Sequence, residues 1–309
     1  MASDPASDIL DVVKAKTVLS GALYAGGDWA LRFPASDRMK FCAVITGACW
    51  IVLEGKKRPL RAETGDVLLL AEKRSFVMCS DVTLRPAGLD ALRHDPTRQI
   101  ARLGTSEEFM QIGGHIELDA TSGRLLSAVL APWVHVKTGS PEAEPLRWIL
   151  DQLVRERTLP RVGSDVAITQ LAQLMFVYLV RSHLRSTGAT SVGWARVLAD
   201  PSLATALRKL HSEPGRDWQL AELARAAGMS RTTFAEKFKS AAGVAPLAYL
   251  AQWRTRLAEK ALRDTDTTIA ALAESLGFSS ESAFSHAFKR LNGTSPHRFR
   301  LKSRQNPDS

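Results

Sequence analysis

The chain has 309 residues, of which 45% are apolar and 24% charged, the values of an ordinary soluble protein long enough for two domains. The formal net charge of +9 is concentrated, because residues 201–309 hold 17 Lys and Arg against 10 Asp and Glu. This local excess indicates an anionic partner such as nucleic acid. The longest apolar run, LAQLMFVYLV, is too short to cross a bilayer and the N-terminus lacks a signal peptide, so we expect no membrane segment and a cytoplasmic protein.

Residues 1–125 are predicted to form a β domain. Short runs rich in β-branched and aromatic residues, such as FCAVITG, CWIVLEG and SFVMCSD, are separated by glycine, proline and charged residues, a pattern typical of successive hairpins in a sandwich or small barrel. Three cysteines without CxxC spacing, Cys42, Cys49 and Cys79, favour reduced, buried thiols. A cysteine-based redox sensor stays open as an alternative, because Cys42 and Cys49 flank a predicted hairpin turn.

Residues 126–190 are predicted to form a helical extension. EPLRWILDQLVRERT places Leu146, Ile149, Leu150 and Leu153 on one helical face, and SDVAITQLAQLMFVYLVRSHLRS repeats this pattern over a longer span. These amphipathic helices would cap the β domain, form a dimer interface, or do both. STGATSVG then has the composition of a linker.

From residue 194 the chain is predicted to be wholly helical, and one helical pattern occurs twice. GMSRTTFAEKFKSAAG, residues 228–243, and GFSSESAFSHAFKRLNG, residues 277–293, each contain a glycine suited to the end of one helix and a serine suited to the N-cap of the next. Each second helix carries two phenylalanines spaced i, i+4. The pattern predicts two helix-turn-helix units joined by one continuous helix over PLAYLAQWRTRLAEKALRDT.

In each unit the phenylalanines would face the partner helix, which leaves polar residues to face a DNA major groove. Their side chains suit hydrogen bonds to base edges and phosphates. The predicted DNA-binding residues are Ser230, Arg231, Thr232, Thr233, Glu236 and Lys237 in the first unit, and Ser280, Glu281, Ser282, Ser285, His286, Lys289 and Arg298 in and after the second. Phosphate neutralisation is also expected from Arg254, Arg256, Arg290 and Arg300.

These motifs resemble the DNA-binding domain of AraC-type transcription regulators, through LAELARAAGMSRTTFAEKFK, PLAYLAQWR and IAALAESLGFSSESAFSHAFKRLNGTSPHRFR. The resemblance implies an all-α domain over residues 194–303 whose two helix-turn-helix units enter successive major grooves of double-stranded DNA, roughly 10 bp apart. GACWIVLEG, ETGDVLLLAEKRSFVMCSD and QIGGHIELD are similar to the cupin-like β-barrel of many such regulators. The implied α+β multidomain protein is a sequence-specific regulator and homodimer, an activator that would contact RNA polymerase.

The cupin-like domain is a candidate for holding either a metal or an effector. Metal-binding cupins place histidines on neighbouring strands, but PASDRMKFCAVITG contains none and Phe76 stands where a ligand is expected. We therefore predict no catalytic site, metal or cofactor, and a cupin metalloenzyme with a DNA-binding tail is the less favoured alternative. A barrel can instead enclose one small-molecule effector. Candidate effector-binding residues are Trp29, Arg38, Phe41, Trp50 and Phe76.

Overall fold

A computed structural model describes residues 4–13, 15–56, 58–95, 99–104, 106–118, 126, 130–187 and 193–305. The described residues pack into two compact units. The first, called the strand unit, comprises residues 15–118 and 130–186; the second, called the helical unit, contains the N-terminal helix and the residues from 187 onward. The predicted domain boundaries at residues 125 and 190 fall in segments outside the described residues, and they stay predictions.

The strand unit contains eleven strands within its described residues, in two sheets. One sheet has the strand order β11-β6-β3-β10-β1-β9-β8, and the other has the order β2-β7-β4-β5. The strands are β1 Lys16–Ala25, β2 Ala30–Phe33, β3 Met39–Thr46, β4 Ala48–Leu53, β5 Leu60–Glu63, β6 Val67–Leu70, β7 Phe76–Cys79, β8 Arg93–Asp95, β9 Ile100–Leu103, β10 Phe109–Glu117 and β11 Trp133–Val136.

Both sheets contribute to one hydrophobic core. Ala25, Cys42 and Phe109 of the larger sheet pack with Ile51 and Met78 of the smaller sheet, and all five are buried. Alternation along each strand directs one set of side chains into this core and the next set to the opposite face. The cupin-like fold class predicted from the sequence is thereby confirmed, although the described strands form two facing sheets rather than one continuously hydrogen-bonded barrel.

Two helices complete the strand unit, α2 (Ala143–Thr158) and α3 (Ser164–Thr187). As predicted, α2 buries the four apolar residues of its stripe, from Leu146 to Leu153. Gln173 of α3 accepts hydrogen bonds from the backbone N and the hydroxyl of Thr17 on β1, at 3.3 and 3.2 Å, which ties this helix to the larger sheet.

The helical unit consists of short helices around one long one. The long helix, α8 (Pro246–Asp264), confirms the predicted joining helix. Within the described residues, no helix is long and apolar enough to span a membrane. The remaining helices of the unit are α1 Pro5–Val13, α4 Gly193–Ala199, α5 Pro201–Ser212, α6 Leu220–Ala226, α7 Arg231–Ala242, α9 Ile269–Ser275, α10 Glu281–Asn292 and α11 Pro296–Gln305.

The N-terminal helix α1 packs within the helical unit, although it directly precedes β1 in sequence. Its residues Ile9, Val12 and Val13 are buried. Asp11 forms an ion pair with Lys260 of α8. The N-terminal helix therefore packs in the same core as helices from the C-terminal part of the chain.

A buried histidine lies beneath α1. His211 of α5 pairs through Nδ1 with the carboxylate of Asp8, at 3.2 Å, and through Nε2 with the hydroxyl of Tyr249, at 2.9 Å. Its ring stacks on Trp253 with the centroids 4.0 Å apart. Burial lowers the pKa of His211 to about 4, while the bond with Asp8 opposes this shift, so the imidazole is neutral at pH 7.

This buried imidazole predicts that stability depends on pH. The unfolded chain protonates His211 near its ordinary pKa of 6.5 whereas the folded protein resists protonation, so stability should fall as the pH drops from about 6.5 towards about 4. The urea midpoint, measured across this range, should vary less with pH in His211→Gln. The same change at the exposed His297 should leave the profile unaltered, and an unchanged slope in His211→Gln would contradict the prediction.

Candidate nucleic-acid interface

The first helix-turn-helix unit is formed by α6 and α7. A capping box between Gln219 and Glu222 starts α6, and Gly228 adopts a left-handed φ of 67° after its end. The hydroxyl of Ser230 then caps α7 by accepting the backbone N–H of Thr233 at 3.2 Å. These local features determine the turn between α6 and α7, and with it the direction of α7.

The second unit repeats this construction with α9 and α10. Thr268 caps α9, and Gly277 adopts a φ of 71° after its end. The hydroxyl of Ser280 accepts the N–H of Ala283 at 3.1 Å and starts α10. Left-handed glycines, Gly243 and Gly293, end both second helices, as the sequence predicts.

Paired phenylalanines anchor the two second helices. Phe234 and Phe238 of α7, like Phe284 and Phe288 of α10, have no exposed surface. The rings within each pair lie 5.7 Å apart, a spacing at which aromatic rings attract each other. With these faces buried, only the opposite face of each helix is available to a partner.

Twelve of the thirteen predicted DNA-binding residues are the N-caps of α7 and α10 or belong to these two helices, and Arg298 is on α11. All are exposed except Ser285, which is half-buried. Ser230 and Ser280 already act as helix caps. Lys237 forms an ion pair with Asp200, the N-cap of α5, at 2.5 Å, and this pair lowers the pKa of the Asp200 carboxyl. Lys237 therefore also holds α5 against α7, a role that the sequence pattern does not reveal.

Arg254 of the long helix α8 connects the two helix-turn-helix units. Its guanidinium donates to the carbonyl oxygens of Pro214, at 2.6 Å, and Arg216, at 2.9 Å, both next to the first unit. It also donates to the carbonyl of Gly277 in the turn of the second unit, at 3.3 Å, and lies over the ring of Phe278. Burial lowers the pKa of Arg254. The sequence predicts that this arginine neutralises phosphate. In the structure its hydrogen bonds instead link the loop before the first unit to the turn of the second unit.

Two glycines bring the loop before the first unit into direct backbone contact with the turn of the second unit. A Cβ atom at Gly277 would lie 2.0 Å from the carbonyl oxygen of Gly215, and one at Gly215 would lie 2.4 Å from that of Ser275. Such distances are far below van der Waals contact, so only glycine fits at either position. The loop before α6 and the turn between α9 and α10 are thus in contact through their backbones.

The other expected phosphate contacts divide into two groups. Arg256 pairs with the fully buried Glu259, at 3.1 Å, and Arg300 donates to the carbonyl of Thr267. Both stabilise the fold. Lys289 and Arg290 on α10 and Arg298 on α11 form the second group, because their side chains are exposed.

Comparison with known proteins identifies the family. A family described as a cupin matches residues 4–185, and one described as a helix-turn-helix domain matches residues 223–302. The chain is 39% identical over 297 residues to AraC-like transcription regulators of Streptomyces antibioticus and Streptomyces lividans, a match that covers 96% of this chain and 98% of each relative. The chain belongs to the AraC-like transcription regulators. The regulatory function and family predicted from the sequence are confirmed.

Weaker similarities extend to other regulators and to solved structures. The transcriptional regulator AlkR of Acinetobacter baylyi is 28% identical, over 90% of this chain and 92% of its own. Among solved structures, the DNA-binding domain of AdpA in complex with a target DNA is 32% identical over 36% of this chain and 99% of that chain, with a TM-score of 0.33. ToxT of Vibrio cholerae is 12% identical over 94% of this chain and 98% of that chain, with a TM-score of 0.35.

The five predicted effector-binding residues of this AraC-like regulator lie on different surfaces. Trp29 and Phe76 belong to the core between the sheets, and Phe41 is buried on the opposite face of β3. Trp50 is half-buried beneath Arg61, whose guanidinium carbon is 5.1 Å from the ring centroid. Arg38 is on the surface, 3.2 Å from Glu117. The structure does not bring these side chains together around one cavity.

The cysteines of the regulator are enclosed. Cys42, Cys49 and Cys79 are free and buried, and burial raises the pKa of Cys42 to about 12 and also raises those of the other two. A thiol with a raised pKa is a poor nucleophile, so this geometry disfavours the redox alternative. Among the described residues, no group of three or more His, Cys, Asp or Glu side chains is arranged to hold a metal ion.

The contact between the glycines predicts a difference between two matched substitutions. Gly228 and Gly277 have nearly equal φ values, but a Cβ atom at Gly228 has no neighbour within 4 Å. Gly228→Ala should cost about 1–2 kcal/mol through its left-handed backbone alone. Gly277→Ala should cost roughly 1–3 kcal/mol more, because the added methyl group pushes the two units apart. Urea unfolding of both variants measures the difference, and equal losses would contradict the proposed contact.

Proposed function

We propose that this regulator binds double-stranded DNA sequence-specifically, with α7 and α10 as its two recognition helices. The observation that carries the proposal is the repeated arrangement itself. Each helix buries its phenylalanine pair and exposes polar residues at its N-terminus, such as Arg231 and Thr232 on α7 and Glu281 and Ser282 on α10. A major groove admits one α-helix, and residues near the N-terminus of the helix contact the base edges.

The two helices are proposed to read adjacent major grooves on one face of the duplex. The contact of Gly215 with Gly277 and the hydrogen bonds of Arg254 support this, because they give the pair of helices one fixed spacing. Successive grooves on one face are about one helical turn, roughly 10 bp, apart. The different outward residues, Arg-Thr-Thr against Ser-Glu-Ser, suit two different half-sites.

Footprinting on the DNA that flanks the regulator's own gene tests this function. Two protected major grooves on one face, about 10 bp apart, are expected. Scattered protection without sequence preference, which disappears steeply with added salt, would mean that only the basic charge binds DNA and would contradict specific recognition.

Two arginine substitutions separate base reading from phosphate binding. Arg231→Ala, at the start of α7, should weaken binding to the specific site by about 1–3 kcal/mol while sparing nonspecific DNA. Arg298→Ala, in α11, should weaken both alike and lower the slope of log affinity against log salt by about 1. Fluorescence anisotropy with specific and scrambled duplexes at several salt concentrations gives both quantities. If Arg231→Ala lowered the affinities for the specific and the scrambled duplex equally, α7 would not contact bases through this residue.

Control by a small molecule bound to the strand unit is part of the proposal. The support is the division of the chain into a helical unit that carries the recognition helices and a cupin-like unit with no helix-turn-helix. A ligand would act by favouring one arrangement of the DNA-binding helices over another. We further propose that the protein is a cytoplasmic activator that contacts RNA polymerase. Transcription with purified polymerase tests this: no stimulation at a footprinted site would contradict activation.

We propose that two copies pair through α2 and α3. Trp148 on α2 is 57% exposed, and Val166 and Leu174 on α3 are also exposed apolar residues. Trp148→Glu should weaken the dimer at least about tenfold, because a charge would be buried at the interface. Sedimentation equilibrium measures this, and Val82→Glu is the control because Val82 is exposed elsewhere on the strand unit. A wild-type monomer at micromolar concentration would contradict pairing.

A further inference from the structure

The strand unit contains a cavity of about 720 Å³ on the outer face of its larger sheet. Ala22 and Tyr24 of β1 line it, whereas the next residue along, Ala25, belongs to the core between the two sheets. The cavity is thus distinct from the barrel interior in which the sequence predicted an effector. Its volume is within the range of small-molecule sites, about 300–1,000 Å³.

Three neighbouring strands form the floor of this cavity in two rows. In the first row, Ala22 pairs with Ile100 of β9 on one side and Ile112 of β10 on the other. In the second row, Tyr24 pairs with Arg102 and Met110 in the same way. The first row is apolar, and the second brings a phenol and a guanidinium together. The Arg102 guanidinium carbon lies 5.3 Å from the centroid of the Tyr24 ring.

The roof is the junction between α2 and α3. Val154 and Ile168 face the cavity from the two helices and extend its apolar part. Arg157, at the end of α2, contributes a second guanidinium, whereas Arg102 is paired with Glu107 at 2.9 Å. Burial lowers the pKa of Arg157, which means that its charge lies in a medium that screens it weakly.

The two carboxylates of the lining belong to the junction of the helices. Glu156 accepts the hydroxyl of Ser164 at 2.6 Å, and that hydroxyl accepts the backbone N–H of Arg161 at 2.7 Å. Asp165 is exposed in the first turn of α3. The cavity therefore has a cationic end around Tyr24, an apolar middle and two carboxylates at the junction of the helices.

A strained residue stands beside the cationic end. Gln99 has a φ of 51°, and among the described residues it is the one non-glycine residue with a positive φ, a conformation that is unfavourable for a residue with a Cβ atom. Arg157 holds it by donating to its carbonyl at 3.3 Å and to its side-chain oxygen at 3.4 Å. These bonds are long, and their acceptors are neutral. A carboxylate forms shorter and stronger bonds with a guanidinium, so it would compete with Gln99 for Arg157.

We infer that this cavity binds a small amphipathic organic anion, whose carboxylate or sulfonate contacts Arg157 and whose apolar body lies over Ile100 and Ile112. The inference rests on the proposed control of the regulator by a small molecule, and it names the site and the chemical class of that ligand. Binding would loosen the hold of Arg157 on Gln99 and thereby alter the start of β9, which pairs with β1.

Two fluorescent probes of matched shape test the inference on the full-length protein. Anilinonaphthalenesulfonate is an apolar anion, and phenylnaphthylamine has the same ring system without the charge. Both should bind the wild type saturably at one site. Arg157→Gln keeps hydrogen-bonding capacity but removes the charge. It should therefore lower the affinity for the anionic probe at least about tenfold and change the affinity for the neutral probe less than about twofold.

Two further variants complete the design. Arg38→Gln removes the same charge from an arginine that the sequence predicted to bind an effector. It should leave the affinities for both probes unchanged. Ile168→Trp should fill the cavity and weaken both probes. Retained binding of the neutral probe in Arg157→Gln also demonstrates that this variant is folded. The inference would be overturned if Arg157→Gln affected both probes alike or neither, if Arg38→Gln had an equal effect, or if Ile168→Trp left binding intact.

Footprinting of the same preparation separates this inference from the proposed function. Specific protection of DNA together with probe binding that is insensitive to Arg157→Gln would overturn the anion site alone. Probe binding that follows the expected pattern, together with an absence of specific protection, would contradict DNA recognition and support the anion site.

Discussion

The backbone contact between Gly215 and Gly277 is the constraint on which the DNA-binding half depends. The carbonyl of Gly215 occupies the place of a Cβ atom on Gly277, and the carbonyl of Ser275 occupies that place on Gly215, so the loop before the first helix-turn-helix unit and the turn of the second are in direct contact. Next to this contact, Arg254 donates hydrogen bonds to three carbonyl oxygens, which belong to both segments. These contacts join the two units at a point away from the helix α8 that they share, and they limit how far one unit can move relative to the other.

The sequence predicts this half well because its signals are local. Gly228 and Gly277 end helices through their own backbone freedom, and Ser230 and Ser280 start the next helices through hydrogen bonds that span three residues. The phenylalanine pairs define the buried face from spacing alone. Such features need no knowledge of distant contacts, so helix positions and outward faces could be derived before the structure.

Long-range contacts could not be derived in this way. The sequence cannot distinguish an arginine that binds phosphate from one that binds a carbonyl of another element, and Arg254, Arg256 and Arg300 belong to the second kind. The cavity near Arg157 depends on strand register and on where α2 ends. β9 pairs with β1 in parallel across a long separation in sequence, and a shift of one residue would turn Tyr24 away from the cavity. Effector residues predicted from type alone therefore scatter over several surfaces.

The placement of α1 has a consequence for how such regulators can be recombined. The cupin match begins at residue 4 and includes this helix, yet its apolar residues are buried in the helical unit, against the core that contains His211 and Trp253. A hybrid that joins a foreign N-terminal domain to this helical unit after residue 187 would leave that core without the helix that covers it. The first helix belongs with the C-terminal helices as one packing unit, so an exchange of the cupin-like domain in this protein has to keep residues 5–13 as well as residues 193–305.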